Sequence, residues 1–317
     1  MPFVIVHDTF ALENIPETEK PFLSAVRLGT QGPDPFMAHG MNPFQKRKDK
    51  QTVNPFGGYM HHIPLAPTYA KMLGYARNQD DEATRDLLFA YIDGLLMHFA
   101  VDRVCHPYVF YRSGFDGKGQ LSGIHTYRHG IFESILDREY GLEHKTYIRP
   151  DKTMGTLGLD DVKKISIMWR ECTTYKLPET GFYDAYVDYR NVLKMLWSPL
   201  GIKRFFFTFV LGKHGKGISL THPSKRRAKK YLSRDIQNKS KNTWRIPFSG
   251  EERNDSFDEL IAQASRDYQE AHALLEKAKE GADIEAELAD WTASLNHDGV
   301  RFTQINRYQS DDASWLD

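Results

Sequence analysis

Cysteines, long apolar runs and an excess of charge are all lacking in this chain. It contains 2 cysteines among 317 residues, which is too few for a disulfide framework or a thiolate zinc site. No apolar run reaches the roughly eighteen residues that suggest a membrane span. The N-terminal sequence MPFVIVHDTF has neither the basic region nor the long apolar core of a secretory signal. We therefore expect a cytoplasmic protein with reduced thiols.

The charge balance says little about partners. Lys plus Arg and Asp plus Glu both total 42, so the formal net charge is zero. Proteins that bind nucleic acid usually carry a basic excess, so a nucleic-acid partner is not expected. The basic sequence KRRAKK lies within a polar segment at 213–255, which predicts a surface loop or small insertion. Such a run is usually solvated, and peripheral contact with a phosphate-rich or membrane surface is the alternative.

Helical patterns dominate the chain and strand signals are few. Helical apolar periodicity marks residues 160–176, 181–212 (interrupted near Pro199 and Gly201), 256–280 and 283–295. Residues 40–58 are polar and marked by Gly and Pro, which predicts a loop. The sequence therefore predicts an all-α protein with a single domain over 1–317. Its core would come mainly from residues 1–215 and 256–295.

Residues 89–108, FAYIDGLLMHFAVDRVCHPY, form the stretch around which the prediction is organised. The pattern is apolar on almost every side, which is typical of a buried helix. His98, Asp102 and His106 are spaced by four, so they stack on one helical face. A carboxylate and two imidazoles are costly in apolar surroundings unless they are paired or bind a metal. Both a metal site and a hydrogen-bonded Asp–His pair are therefore open, and Pro107 predicts that the helix ends at His106.

Other segments supply further nitrogen and oxygen donors of the kind that zinc accepts. They are His7, Asp34 on a proline-held turn, His61 or His62, and His125 or His129 together with Glu133. With the helix residues they exceed the four donors of one tetrahedral site, which predicts two or three metals. Closely spaced metals suit hydrolysis of a phosphate diester, because they activate water and neutralise phosphate charge.

In this order the motifs resemble the bacterial zinc-dependent phospholipase C family. The matching segments are the N-terminal His7, LGTQGPDPF with Asp34, FGGYMHH with His61, GLLMHFAVDRVCHPY with His98, Asp102 and His106, and HGIFESILD with His129 and Glu133. The segment WRIPFSGEERNDSFDEL at 244–260 looks like the late part of cytoplasmic members. The resemblance covers most of the chain and implies a helical bundle around a three-zinc cleft.

The resemblance also divides eight side chains among the zinc ions. It implies a first zinc held by Asp34, His61, His98 and Asp102. A second would be held by His129 and Glu133, with His106. A third would be shared by His7 and Asp102, so that Asp102 bridges two ions. Asp34 would also lie beside the nucleophilic water, as general base or as the group that orients it.

Two departures from the secreted members bear on this assignment. Those members use the amino group of an N-terminal tryptophan as a zinc ligand, whereas this chain begins Met-Pro. We therefore expect the third site to be weaker or empty. In secreted members the histidine after Asp102 is spaced further away than His106 is here, where Pro107 follows directly.

The implied activity is hydrolysis of the glycerol–phosphate bond of a phospholipid or a related phosphodiester. Two alternatives remain, a zinc nuclease for single-stranded nucleic acid and a metal-binding protein without turnover. The remaining histidines are expected to be ordinary surface residues: His39, His144, His214, His222, His272 and His297. The FFFTFV run at 205–210 and Cys105 are expected to pack in the core rather than to contact lipid or act as a nucleophile.

Overall fold

The fold was analysed in a computed structural model. The structure describes residues 3–42, 46–116, 122–200, 202–211, 229–231, 234–300 and 310–316. Helix makes up 67% of the structure and strand 2%, which confirms the all-α prediction. Among the described residues, every helix is too short or too polar to cross a bilayer.

The structure describes twelve helices. In chain order they are α1 (Val4–Asn14), α2 (Leu23–Gly29), α3 (Asp34–Met37), α4 (Lys50–His61), α5 (Ala66–Arg77), α6 (Glu82–Ser113), α7 (Ile124–Glu143), α8 (Leu159–Cys172), α9 (Gly181–Leu196), α10 (Ile202–Leu211), α11 (Phe257–Lys279) and α12 (Glu285–Thr292). Short 3₁₀ turns lie at Glu17–Phe22, Pro150–Lys152 and Ala313–Leu316. In the described part of the chain, strand is limited to an antiparallel pair, β1 (Trp244–Arg245) and β2 (Glu252–Arg253).

Helix α6 is the centre of the bundle. Asp81 caps its N-terminus by accepting a hydrogen bond from the backbone N–H of Thr84 at 3.0 Å. Every residue from 87 to 110 is buried, which agrees with the apolar pattern on all sides of this segment. Helices α1, α2, α5, α7, α8 and α11 pack around it. A polar side chain on α6 therefore points either at a neighbouring helix or into an enclosed site.

Helix α2 crosses α6 with the two backbones in contact. A Cβ at Gly94 would lie 2.3 Å from the carbonyl oxygen of Val26 and 2.7 Å from the Cα of Gly29. Only glycine on both helices allows this approach. The crossing brings the turn that follows α2 over the part of α6 that carries His98.

Helix α11 covers another side of α6. It starts with a capping box in which Ser256 and Glu259 bond to each other's backbone N–H. Asp93 on α6 is fully buried, and accepts hydrogen bonds from Tyr268 Oη at 2.6 Å and from His272 Nδ1 at 3.2 Å. His272 is thus half-buried and paired, rather than the ordinary surface residue expected from the sequence.

The predicted loop at 40–58 is wrong over its second half, which belongs to α4. Val53, Phe56 and Met60 are buried at helical spacing, and this stripe is obscured in the sequence by glycines and by Pro55 inside the helix. Asn54 Nδ2 donates to the carbonyl oxygen of His39 at 3.2 Å and so fastens α4 to the segment before it.

The predicted end of α6 at His106 is also wrong, because the helix continues through Pro107 to Ser113. Tertiary packing outweighs the lost backbone hydrogen bond. Tyr108 is fully buried, and its hydroxyl donates to the carbonyl oxygen of Ile236 at 2.8 Å. His106 consequently sits in the middle of a rigid helix rather than at a frayed end.

The predicted surface segment at 213–255 lies only partly within the described residues, since 212–228 and 232–233 fall outside them. In its described part, Trp244 is buried and its ring centroid lies 5.3 Å from that of Tyr108. This part therefore contributes an aromatic side chain to the core.

Candidate metal centre

Three sets of histidine and carboxylate side chains meet along α6. Within each set the possible ligand atoms lie within 4.8 Å of one another. The sets are His7, His98 and Asp102 (group 1), Asp34, His61 and His98 (group 2), and His106, His129 and Glu133 (group 3). The structure thus brings together all eight candidate ligands. We refer to these eight residues, groups of which could bind metal ions, as the metal centre.

Group 1 is built around Asp102. Its Oδ1 lies 3.1 Å from His7 Nε2, and its Oδ2 lies 3.0 Å from His98 Nε2. His106 Nε2, from group 3, is 3.9 Å from Oδ1. Burial raises the pKa of Asp102, but the histidines around it outweigh this and hold the pKa well below its usual range. Asp102 is therefore ionised and faces three imidazoles.

His7 reaches Asp102 because α1 is fixed at its N-terminus. Asp137 on α7 accepts hydrogen bonds through Oδ1 from the backbone N–H groups of Ile5 at 3.1 Å and Val6 at 2.9 Å. These donors have no partner within α1, so the carboxylate serves as a cap from another helix. The cap sets the position of α1, and hence of His7, relative to α7.

Group 2 depends on the glycine turn between α2 and α3. Gly32 has φ +56°, and a Cβ there would lie 2.2 Å from the imidazole carbon Cδ2 of His98. Only glycine allows this turn to close over His98. The turn is followed by Asp34, the first residue of α3. Asp34 Oδ1 lies 3.3 Å from Nε2 of His61, which is at the end of α4.

Group 3 joins α6 to α7. Glu133 Oε1 lies 3.2 Å from His129 Nε2 and 3.5 Å from His106 Nε2. Burial lowers the pKa of His106, but Asp102 and Glu133 outweigh it and raise the pKa to about 10. His106 therefore faces the carboxylates of Asp102 and Glu133, despite its spacing from Asp102 and the proline that follows it.

Three of the histidines share one hydrogen-bonding pattern. Nδ1 meets a backbone carbonyl oxygen in His61 (Gly57, 2.7 Å), His98 (Thr30, 3.0 Å) and His106 (His297, 2.8 Å). A carbonyl oxygen only accepts, so Nδ1 carries the hydrogen in each ring. Nε2 is left facing the carboxylates. This arrangement is typical of metal-ligating histidines, whose tautomer and orientation are set by the second nitrogen.

The spacing of the donors fits a bound cation. An imidazole lone pair and a carboxylate oxygen repel each other unless a proton or a metal lies between them. In a tetrahedral zinc site two such ligand atoms are about 3.3–3.5 Å apart. Within the three groups, the closest imidazole–carboxylate contacts span 3.0 to 3.5 Å. His98 Nε2, although 3.0 Å from Asp102 Oδ2, has no hydrogen-bond partner among the described residues. Several of these buried groups could therefore bind metal ions.

His297 lies in the same place but was expected on the surface, and that expectation is wrong. The residue is fully buried, with ring centroids 4.6 Å from His61 and 5.2 Å from His98. Within the described part of the chain, neither ring nitrogen has a hydrogen-bond partner. Burial and the nearby histidines lower its pKa well below the usual range, so the ring is neutral. No spacing rule links it to the other donors, because it follows α12 rather than belonging to a patterned helix.

The structure also separates two pairs of alternatives. His61 contacts Asp34, whereas the side chain of His62 is 67% exposed and lies 3.7 Å from Asp298. His129 contacts Glu133, whereas His125 is outside all groups found among the described residues.

The other histidines were all expected on the surface, but this holds for only some of them. His39 is fully buried and contacts Asp49 at 2.9 Å and Asp188 at 3.1 Å, so the prediction is wrong for it. His144 is partly exposed and pairs with Glu13 at 2.8 Å. His214 and His222 lie outside the described residues.

A fourth group, Glu19, His272 and Glu276, lies apart from the metal centre. The ammonium of Lys279 is 3.0 Å from Glu19 Oε1 and 2.7 Å from Glu276 Oε1. The Lys279 ammonium thus bridges the two carboxylates, so this group is an ion-pair network.

Comparisons with protein-family models, with curated proteins and with solved structures find no match for this chain. The side chains of the metal centre and their geometry are therefore the features that bear on function.

Proposed function

We propose that this chain is a zinc-dependent phosphodiester hydrolase of the phospholipase C type. The observation that carries the proposal is the convergence of eight donors from distant segments. Their order along the chain resembles that family, and Asp102 stands between His7 and His98 as a bridging ligand would. All eight are imidazoles or carboxylates, the donors that suit two or three zinc ions.

Bound zinc would lower the pKa of a water molecule and offset charge on the phosphate oxygens. Asp34 is the residue placed to handle the proton. Burial raises the pKa of Asp34, but the positively charged and hydrogen-bonding groups around it, His61 and His98 among them, outweigh burial and hold the pKa far below the usual range. Asp34 is therefore ionised at neutral pH, as a metal ligand or a group that orients or deprotonates water must be. The substrate class is a phospholipid or a related phosphodiester, cleaved at the glycerol–phosphate bond.

The test compares zinc-loaded protein on a chromogenic phosphocholine ester and on single-stranded DNA. We expect hydrolysis of the ester, loss of activity with a chelator, and recovery on addition of zinc. Asp34→Asn should lower the rate by about 10²–10⁴-fold, the usual range for general acid–base groups, while the fold is kept. Asp49→Asn is the matched control, since Asp49 also pairs with a histidine but lies outside the metal centre.

The other outcomes separate the alternatives. Cleavage of DNA but not of the ester would point to a nuclease. Bound zinc with no turnover of either substrate would point to a metal-binding protein without catalysis. Protein purified without chelators that contains no zinc would overturn the proposal altogether.

A further inference from the structure

Helix α10 presents an apolar stripe to solvent, although its FFFTFV sequence was expected to pack in the core. The exposed fractions are 80% for Leu200, just before the helix, 67% for Ile202, 79% for Phe205, 59% for Phe206 and 84% for Phe209. Positions 202, 205, 206 and 209 follow the spacing of one helical face. The core prediction is wrong for these side chains. A contiguous apolar surface of this kind marks an interaction site rather than a chance exposure.

The first turn of the helix is hydrogen-bonded to residues shortly before it in the chain. The backbone N–H of Lys203 donates to Ser198 Oγ at 3.1 Å. The ammonium of Lys203 donates to the carbonyl oxygen of Lys194, at the end of α9, at 2.8 Å. The start of the stripe is therefore linked to the end of α9.

The sequence around this stripe is strongly basic. Residues 201–234 contain 10 Lys or Arg residues and no Asp or Glu, in a chain whose net charge is zero. In the described part of this stretch, Lys203, Lys229 and Lys230 are exposed. Aromatic and aliphatic side chains followed in sequence by a concentration of positive charge are typical of segments that bind the interface of anionic membranes.

The charge pattern favours a lipid surface over the other occupants. A second copy of this chain would bring two basic stretches together, and like charges would oppose the contact. A single-stranded nucleic acid would be bound by aromatic stacking, in which Leu200 and Ile202 have no part. An anionic bilayer uses both the positive charge and the aliphatic side chains.

We propose that α10 docks this protein on the surface of an anionic lipid bilayer. Phe205 and Phe209, the most exposed side chains of the helix, enter the boundary between headgroups and acyl chains. Lys203, which is exposed on the same helix, lies against the anionic headgroups. This docking does not depend on the metal centre, so it can be tested independently of the proposed hydrolysis.

The experiment measures co-sedimentation of the full-length protein with vesicles. Vesicles of phosphatidylcholine containing about 30% phosphatidylserine should bind it, and pure phosphatidylcholine should bind it at least about tenfold more weakly. Added salt should weaken the binding, because the attraction is partly electrostatic. The double variant Phe205→Ser, Phe209→Ser should lower partitioning onto the anionic vesicles by at least about tenfold. Its hydrolysis of a soluble ester, or its zinc content, should stay unchanged.

The matched control replaces two exposed leucines elsewhere, Leu142→Ser and Leu159→Ser, and should bind vesicles like the parent protein. A Phe209→Trp variant provides a direct readout, since insertion should shift its emission to the blue and expose it to quenching by brominated lipid. Failure to bind anionic vesicles, or equal binding by the double Phe variant, would overturn the proposal. The proposal would also be overturned if the double Phe variant still bound vesicles but lost the ability to bind single-stranded DNA or to self-associate.

Discussion

Replacing Asp102 with asparagine is expected to disturb two of the proposed zinc sites, because it changes one oxygen of the carboxylate to an amide nitrogen. One carboxylate oxygen faces His7 at 3.1 Å and the other faces His98 at 3.0 Å. Asparagine has nearly the same size, but it offers one acceptor oxygen in place of two and carries no charge. The variant therefore tests bridging rather than packing.

The size of the effect follows from linkage. A zinc ion at a free concentration 100 times its Kd stabilises the folded chain by about 2.7 kcal/mol, so the contribution is about 2.7 kcal/mol with the third site empty and about 5 kcal/mol with both sites filled. For a chain of this length about 2 °C of Tm corresponds to 1 kcal/mol, which predicts a Tm about 5–10 °C lower for zinc-loaded Asp102→Asn. Group 3 contains its own carboxylate, Glu133, and should retain one ion.

The assay combines metal content by mass spectrometry with thermal unfolding, each with and without a chelator. Asp93→Asn is the matched control, because Asp93 lies on the same helix, is fully buried and contacts Tyr268 and His272 instead of the metal centre. It should lower the Tm yet retain the zinc content of the parent protein. Equal zinc content in the two variants would refute the bridging role of Asp102.

Two further predictions concern helix contact and proton release. Gly94→Ala should destabilise the fold by about 3 kcal/mol or more, since the added Cβ meets the backbone of α2 at 2.3 Å. Gly74→Ala, where no atom lies within 4 Å of the added Cβ, should instead stabilise α5 by about 0.5–1 kcal/mol, and denaturant unfolding of both variants checks the contrast. In the metal-free chain the pKa of His106 is about 10, so its imidazole is protonated at pH 7 and must release that proton to bind zinc. Zinc affinity should therefore rise with pH up to that value, and calorimetry in two buffers of different ionisation enthalpy should detect the proton. An affinity independent of pH between 6 and 8 would contradict this assignment.

The donors that share a helix could be predicted to lie together, because residues four apart occupy one helical face. His98, Asp102 and His106 share one face of an apolar helix, and His129 and Glu133 share one face of α7. Such spacing holds wherever the helix packs. The ends of the helices were harder to predict. Proline normally ends a helix, but the buried surroundings of Pro107 keep it inside α6.

Features that depend on tertiary packing could not be predicted from the sequence. His297 belongs to no patterned helix, so nothing local indicates that it packs against His61 and His98. The apolar stripe of α10 shows the correct periodicity, but periodicity does not say whether a face turns toward the core or toward solvent. The helix α4 was predicted as a loop because its glycines and Pro55 disfavour a helix in the sequence. Its apolar stripe stabilises the helix only by packing against the rest of the bundle.

The donors of the metal centre come from five helices, and this has a consequence for biosynthesis. In a zinc finger the ligands lie close together in the sequence, so the ion can organise the chain as it emerges. Here His7 lies near the start of the chain, and its group 1 partners are on α6, which is itself covered by α11. A growing chain cannot close this centre until α6 has left the ribosome, and α11 is needed to complete the burial of that helix. Metal loading under the proposed function would thus be a late step that follows assembly of the apolar core, and it would stabilise a bundle that the core has already formed.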